Sequence, residues 1–475
     1  MILEEILEVL KNNGKDIAYI IGEKQYTYSE LYKYVCNIYH YLLENNKEKK
    51  PVLVYGHKDI YMKATFLACS YAGMAYVPVD ESMPEERIKE IINQIKPKVI
   101  IGNLQNGIKK EQVYTIMENE NYTEITKISM KPEDTYYIIF TSGSTGKPKG
   151  VEISYNNLNS CVNWLKEIAG NEKGVILNQA NFSFDLSIAD FYLSLVTGSA
   201  HFILENNSKF NFEAIFKELK RSNASLAVMT PSFADLLLLD KSFSQELMLS
   251  LKKIIFCGEK LSIKTAKKLL KRFENIEIVN CYGPTECTFA VTSISLNKNN
   301  IEIFEDLPVG SPKKDVEIYI VDENLKETDL GEILITGASV TKGYLEESKS
   351  FIDFKGEKCY LTGDIGYFKD GLLYYKQRKD KQIKYKGYRI ELTDIENNIL
   401  NLEYVEKAVV VAKHNIDGNI LNIIAFVKTD CEVEKIKQDL KKKLPDYMMP
   451  KIRIVDNFPL NNNGKCDEKR LLEEY

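Results

Sequence analysis

The sequence predicts an α/β protein: a large N-terminal domain of layered α/β sheets that includes a small antiparallel sheet or β-barrel, followed by a small α+β C-terminal domain. Three observations carry that prediction. Short apolar strands alternate with amphipathic helices over roughly the first 300 residues, the pattern of mostly parallel sheets covered by helices. Beyond that point the strands shorten and tight-turn signals multiply. After a lysine-rich polar stretch, a last segment of about 90 residues has an apolar pattern of its own.

Taken in order, residues 1–11 are acidic and helical in pattern. They show neither a basic n-region nor a small-residue cleavage site, so no export signal and a cytoplasmic location are expected. Residues 52–55 read as a strand. Residues 85–95 read as a helix with Ile88, Ile91, Ile92 and Ile95 along one face, and 99–101 as a further strand. Residues 136–140 form a continuous apolar run ended by a Ser/Thr/Gly cluster, the mark of a buried strand feeding a loop. Residues 254–257 and 276–280 repeat the strand signal, with a helix over 264–273 between them. Later, 316–321, 332–336 and 372–376 read as strands, with Asp370-Gly371 as a hairpin turn. The polar stretch 377–386 separates them from strands at 408–412 and 423–427 and helices at 392–402 and 433–444. A boundary at Asp380 divides the chain into domains 1–379 and 380–475.

Composition narrows the function. Apolar residues at 44% and charged residues at 28% exclude disordered and fibrous classes. A net charge of −5 gives no electrostatic reason to expect nucleic acid or an anionic membrane as partner. The longest apolar runs fall far short of the ~20 residues a membrane helix needs. Nine cysteines without a C-x-x-C pair read as reduced thiols. The four histidines (His40, His57, His201, His414) lack ligand spacing, so a histidine metal site is not expected.

Four motifs carry chemistry. Thr141-Ser142-Gly143-Ser144-Thr145-Gly146-Lys147-Pro148-Lys149-Gly150 follows the 136–140 strand directly. Its glycines allow close backbone approach, successive N–H groups can cradle an anion, and hydroxyls and lysines add donors, which suits a polyphosphate. It is not a Walker A loop, because only two residues separate Gly143 from Gly146 and proline follows Lys147. Asn280-Cys281-Tyr282-Gly283-Pro284-Thr285-Glu286 also ends a strand, where α/β folds gather ligands; Thr285 can donate to a phosphate and Glu286 can hold Mg²⁺. An ordinary Gly-Pro turn explains it equally well. Tyr360-Leu361-Thr362-Gly363-Asp364 and Arg378 can serve ribose hydroxyls, or be turn residues. Asn463-Gly464-Lys465 is a polar turn whose lysine alone reads as a solvated charge.

In this order the motifs resemble the adenylate-forming (ANL) superfamily of acyl-CoA synthetases, luciferases and nonribosomal-peptide adenylation domains. The resemblance runs over nearly the whole chain and includes Tyr26-Thr27-Tyr28-Ser29-Glu30-Leu31 and Ala72-Gly73-Met74-Ala75-Tyr76-Val77-Pro78-Val79-Asp80, typical of amino-acid-activating members. Four further stretches are most similar to the branch that ligates D-alanine to a carrier protein: Val54-Tyr55-Gly56-His57, Leu177-Asn178-Gln179-Ala180, Phe182-Ser183-Phe184-Asp185-Leu186-Ser187 and Phe256-Cys257-Gly258-Glu259.

The resemblance implies a two-step ligase using ATP and Mg²⁺. An amino-acid carboxylate attacks the α-phosphorus of ATP, and a carrier-protein phosphopantetheine thiol then takes the acyl group. Thr141, Ser142, Gly143, Ser144, Thr145 and Lys149 would clamp the departing phosphates. Asn280, Tyr282 and Gly283 would line the nucleotide, with Thr285 on the α-phosphate and Glu286 on Mg²⁺. Asp364 and Arg378 would hold the ribose, and Lys465 would bridge substrate carboxylate and α-phosphate. The C-terminal domain would rotate about Asp380, bringing the loop around Gly387 to line a thiol tunnel. Gln377 stands where the superfamily commonly has glycine. Asp185 would pair with the substrate ammonium, or else cap a helix over 186–195. Leu186, Cys257, Gly258, Cys281 and Phe289 would shape the pocket, Cys281 and Phe289 replacing the usual threonine and valine. The carrier is expected in trans, in teichoic acid esterification as the leading case. Glycine, L-alanine or a similar acid in a peptide pathway is the alternative. A catalytically dead nucleotide-binding regulator is disfavoured by Glu286 and Lys465, and an acyl-CoA synthetase by Asp185.

Overall fold

The computed structural model describes residues 1–143, 146–205, 212–346, 348–415, 420–459 and 466–474. Two compact units emerge. One comprises Met1–Glu81, Ile95–Ile139 and Gly150–Lys379; the other comprises Ser82–Gln94, Phe140–Lys149 and Asp380–Tyr475. Two short segments ahead of residue 380 therefore assort with the C-terminal residues rather than with their sequence neighbours.

The first unit is built on a nine-stranded sheet whose centre is parallel. Its strands run Glu277–Tyr282, Lys253–Phe256, Leu226–Met229, Val175–Asn178, Ala200–Ile203 and Ile17–Ile21, with antiparallel strands at both edges. Successive side chains on a strand point to opposite faces, so each of these strands serves two cores. Leu177, Ala227, Met229, Ile254, Phe256 and Ile278 pack on one side. Ile176, Leu226, Val228, Ile255, Cys257, Val279 and Cys281 pack on the other. That alternation sends Cys257 and Cys281 to the same face.

A six-stranded sheet (Gly343–Tyr344, Lys149–Ser154, Thr135–Thr141, Tyr76–Asp80, Val52–Gly56, Val99–Ile101) lies beside a tyrosine-rich core. Past residue 300, the expected short strands form a five-stranded antiparallel sheet around the long strand Glu357–Lys369. Asp370 and Gly371 take φ of 52° and 77° and close the expected two-residue hairpin to Leu372–Arg378.

The second unit contains the hairpin Gln382–Tyr385/Tyr388–Glu391, a three-stranded sheet (Lys407–His414, Ile420–Lys428, Lys451–Ile454) and helices including Leu392–Leu400 and Val433–Lys441. The polar stretch 377–386 differs from expectation: strands claim both of its ends, and only 379–381 lie between them. Lysines at the edge of a two-stranded ladder keep their charged heads in water while the backbone pairs. Among the described residues, no helix is long and apolar enough to cross a membrane.

One feature of the first unit escapes sequence reading. Asp190 and His201, both fully buried, meet at 2.9 Å. Asn178 donates to the same Asp190 oxygen at 2.9 Å, and Lys63 reaches His201 Nδ1 at 3.2 Å and Ser194 Oγ at 3.0 Å. Nearby, Lys58 donates to the Gln179 and Leu204 carbonyls. Burial pulls Lys58 down to about 8 and Lys63 to about 7, with Asp190 working in the opposite sense on both. It also holds His201 well below its ordinary value and Asp190 well above.

A lysine at about 7 in the folded chain, against an ordinary 10.5, binds fewer protons folded than unfolded between those limits, so this group makes stability rise with pH there. Asp190→Ala removes the one acidic side chain bonded in this cluster and should cost ~3–5 kcal/mol where the lysines are charged. The deficit, read by denaturant unfolding, should be larger at about pH 6 than at about pH 9, where both lysines are mostly neutral.

Candidate active site

The parallel strands of the nine-stranded sheet end at one edge, and Cys257, Gly258, Asn280, Cys281, Tyr282, Thr285 and Glu286 lie at or just past those ends. The strand Glu277–Tyr282 runs into Gly283, where an added Cβ would meet Ala290 Cα at 2.5 Å. Only glycine lets the chain double back so tightly. The return is made by a 3₁₀ turn, Thr285–Cys287, followed by Thr288 and Phe289 at φ of 57° and 71°. Two consecutive non-glycine residues in the left-handed region cost ~1–3 kcal/mol each. Thr288 Oγ1 donating to the Ser339 carbonyl at 3.0 Å helps hold the turn.

This loop delivers two side chains to the strand ends and one to the pocket. Thr285 Oγ1 donates to Asp185 Oδ2 at 2.5 Å. Glu286 is fully buried and accepts a hydrogen bond from the Tyr344 hydroxyl, itself 3.5 Å from that of Tyr360. Phe289 enters the apolar cluster that holds Leu186, Cys161, Cys257, Cys281 and Ala180. Cys257 Sγ lies 3.8 Å from the Phe289 carbonyl. Burial pushes the Cys161 thiol up to about 12 and Cys281 well above the ordinary range, so both are protonated, unreactive walls. Gly258 follows the neighbouring strand at φ +90°, a conformation that disfavours any side chain there.

Asp185 is not the helix cap of the alternative reading. The helix Ser187–Thr197 begins after Leu186 at the cap position, without a capping side chain, while Asp185 turns to Thr285. Asn280, buried, donates to the Pro308 carbonyl at 2.9 Å. Tyr282 and Arg378 both reach Asp364, at 2.7 and 2.9 Å, and Arg378 also donates to the Thr362 carbonyl at 2.7 Å. Burial and the adjoining Asp364 carboxylate raise the Tyr282 phenol well above 10. The bulged hairpin pairs Asp364 with Arg378 across strands, which is how residues 14 apart in sequence meet.

The remaining expected residues belong to the second unit. Thr141 ends its strand, and Ser142 Oγ donates to the Arg389 carbonyl at 2.9 Å and accepts from Glu391 N at 3.2 Å. At Gly143 a Cβ would sit 2.2 Å from the Lys147 carbonyl oxygen, so the loop requires glycine. Lys149 opens the strand that follows. Asp380 accepts from Gln382 N at 3.1 Å, and Gly387 at φ +83° pairs with Lys386 at φ +54° as a two-residue turn. Ser144, Thr145 and Lys465 lie outside the described residues. Sequence reasoning missed Tyr344: its partner is 58 positions away, and no periodicity marks a tyrosine in a two-residue strand.

The polar groups fit ATP and a hard cation. The hydroxyl of Thr285 beside the strand end is a donor of the kind a phosphate takes, and a buried carboxylate such as Glu286 suits Mg²⁺, which takes few protein ligands beside phosphates.

A family model described as AMP-binding enzyme matches residues 7–345, and one described as AMP-binding enzyme C-terminal domain matches residues 394–465. Two relatives are named D-alanine--D-alanyl carrier protein ligase. That of Listeria monocytogenes serotype 4a is 42% identical over 459 residues, covering 90% of either chain. That of Bacillus licheniformis is 39% identical over 497 residues, covering 100% of this chain and 99% of its own. Among solved structures, the Vibrio cholerae adenylation domain AlmE, in complex with glycyl-adenosine-5'-phosphate, shares the fold. Its TM-score is 0.86 at 22% identity, over 100% of this chain and 97% of that one.

Asp364 is 2% exposed, and its carboxyl group is bonded by Arg378 and Tyr282. Arg378→Met should lower stability by ~3–5 kcal/mol by stranding that charge, and adding Asp364→Asn should restore most of the loss while leaving Tyr282 an acceptor. Denaturant titration of the single and double variants checks this.

Proposed function

The chain belongs to the AMP-binding enzyme family, and from that premise we propose that it activates D-alanine with ATP and passes it to a carrier-protein thiol. The observation that carries this reading is the likeness, across at least nine-tenths of the chain, to two relatives named for that reaction. Asp185 beside Thr285 at the strand ends supports it, since an α-ammonium is the counter-charge that a carboxylate against an apolar wall calls for.

In the first step a carboxylate oxygen of the amino acid bonds to the α-phosphorus of ATP. The bond from that phosphorus to the bridging oxygen breaks, and pyrophosphate leaves. Thr285 donates to the α-phosphate, Ser142, Gly143, Ser144, Thr145 and Lys149 bind the departing phosphates, and Asp364 and Arg378 hold the ribose. Asn280, Tyr282 and Gly283 line the nucleotide. Lys465 is assigned to bridge carboxylate and α-phosphate, offsetting the negative charge that grows as the two approach. Mg²⁺ held by Glu286 would neutralise phosphate charge. In the second step the phosphopantetheine sulfur bonds to the carbonyl carbon, the carbon–oxygen bond to AMP breaks, and the thiol proton goes to water. Asp380 is the hinge between domains 1–379 and 380–475, and Gly387 lines the thiol's path. Both steps depend on positioning and charge rather than on a protein nucleophile.

A second reading keeps the chemistry and changes the acid. Cys281 and Phe289, both buried on the pocket face, narrow the side-chain space, which favours glycine or another small amino acid. One methylene of misfit shifts selectivity by ~1–3 kcal/mol.

Exchange of labelled pyrophosphate into ATP across an amino-acid panel tests both. D-alanine should give the highest kcat/KM; silence with D-alanine beside strong exchange with glycine or L-alanine overturns the first reading. Lys465→Ala should lower exchange by about 100-fold or more while leaving ATP binding within a few-fold, since its role is made in the transition state. Asp185→Asn should raise the amino-acid KM by about 10–100-fold with little change in that for ATP, the range expected for losing a charged hydrogen bond.

A further inference from the structure

The second unit contains a buried ion pair that the chemistry above does not use. Arg87, on the helix Glu85–Ile95, donates to Asp394 Oδ2, 307 positions away, and its Nε reaches the Lys443 carbonyl at 3.2 Å. The side chains are 6% and 0% exposed. Asp394 Oδ1 accepts from Asn398 at 2.9 Å, so both carboxylate oxygens are engaged. Isolated burial of either charge is costly, which makes the pair an all-or-none contact.

The pair does not stand alone. Asp394 lies in the first turn of the helix Leu392–Leu400, directly after the strand Tyr388–Glu391. Ser142 grips that strand from the glycine-rich loop, donating to the Arg389 carbonyl and accepting from the Glu391 amide. The helix that carries Arg87 also holds the loop, through Gln94 Nε2 to the Pro148 carbonyl at 2.9 Å. One helix and one loop thus clasp both sides of a single corner, 388–394, whose hairpin tip is Lys386-Gly387. The Ser142 hydroxyl has only one proton, and here it goes to Arg389; a phosphate that took this proton would have to break the bond to the corner. The same proton can serve the triphosphate or the Arg389 carbonyl, but not both, while the Glu391 amide can bond the oxygen in either case.

We infer that Arg87 is a positioning residue for the transfer half-reaction: through Asp394 it holds the 388–394 corner on the glycine-rich loop once departing pyrophosphate has released Ser142. This rests on the two-step reading above. Arg87 touches no reacting atom in this account, so adenylation should proceed without it.

The test separates the half-reactions in the full-length chain. Amino-acid-dependent exchange of pyrophosphate reports the first, and single-turnover transfer of the aminoacyl group from the preformed adenylate to pantetheine reports the second. Arg87→Met and Asp394→Asn should each keep exchange within about twofold and slow transfer by about 100-fold, the scale of an ångström-level misplacement. Arg87→Lys, which keeps the cation without the planar fork, should fall between. Equal loss of both half-reactions in Arg87→Lys and Asp394→Asn would mean a purely structural role and overturn the inference, as would unchanged transfer. If Arg87→Met fails to fold, Arg87→Lys and Asp394→Asn decide by the same ratio. No exchange with any amino acid in the unmodified chain would instead overturn the two-step reading itself, a different result from normal exchange with unaltered transfer in the variants.

Discussion

A carboxylate withdrawn from water must be met by a cation or a donor hydroxyl, and the geometry of this chain is organised around that requirement. Asp364 is met by Arg378 and Tyr282, Asp185 by Thr285, Glu286 by Tyr344, Asp190 by Asn178 and His201, and Asp394 by Arg87 and Asn398. Two of the five, Asp185 and Glu286, follow the carboxyl ends of parallel strands. There the parallel sheet stops pairing its own backbone, and polar side chains find room. The acidic residues are therefore aimed by partners, many of them drawn from distant parts of the chain. The partners, more than the acids, decide which direction each carboxylate presents to a ligand.

Local order was legible because its physics is local. The 3.6-residue spacing of Ile88, Ile91 and Ile95 marks a helix that runs over Glu85–Ile95, and the apolar run before the glycine-rich loop marks the strand Thr135–Thr141. Asp370-Gly371 predicts its hairpin because few pairs other than Asp-Gly and Asn-Gly accept two positive φ values cheaply. The near-misses have local causes too. Asp185 sits one position too early to cap its helix, and the polar stretch 377–386 is largely strand because backbone pairing is indifferent to lysine heads that stay in water. The pairings themselves were not legible. Nothing around Tyr344 announces Glu286, and nothing around Arg87 announces Asp394, because such contacts are decided by how sheets and helices stack, which a sequence window does not contain. His201 shows the same thing: alone it reads as an unpaired histidine, and in the fold it is fully buried between a lysine and an aspartate.

Backbone strain beside the strand ends falls on two adjacent residues. The left-handed pair Thr288 and Phe289 folds the 283–290 loop back beneath Gly283, and this reversal sends Thr285 and Glu286 to the strand ends while Phe289 turns into the apolar face. An unstrained turn would splay these apart. Two steps at ~1–3 kcal/mol each are tolerated because the surrounding core, including the Val291 amide bonded to Tyr282 at 2.8 Å, over-determines the loop. The loop thus couples nucleotide-side and acid-side groups: moving Phe289 to reshape the pocket also moves Thr285.

On the proposed reading, that coupling brings together two kinds of discrimination of similar size, one by charge and one by shape. On that reading, a substrate without an ammonium forgoes the ion pair with Asp185, a loss on the scale of ~1.5–3 kcal/mol for a charged hydrogen bond. Side-chain size acts through apolar contact, at ~1–3 kcal/mol per methylene, and the walls that exert it are Cys161, Cys257, Cys281 and Phe289 on one sheet face. With the ammonium assigned to Asp185 and the carboxylate to the nucleotide side, exchanging one enantiomer for the other would redirect only the side chain. Chirality is therefore read by the packed face alone. Among those four walls the phenyl ring is the bulkiest group and the one whose backbone is already strained. Substitution at Phe289 changes the wall and the loop strain together, so the residue that narrows the pocket most is also the one that ties substrate choice to the placement of Thr285.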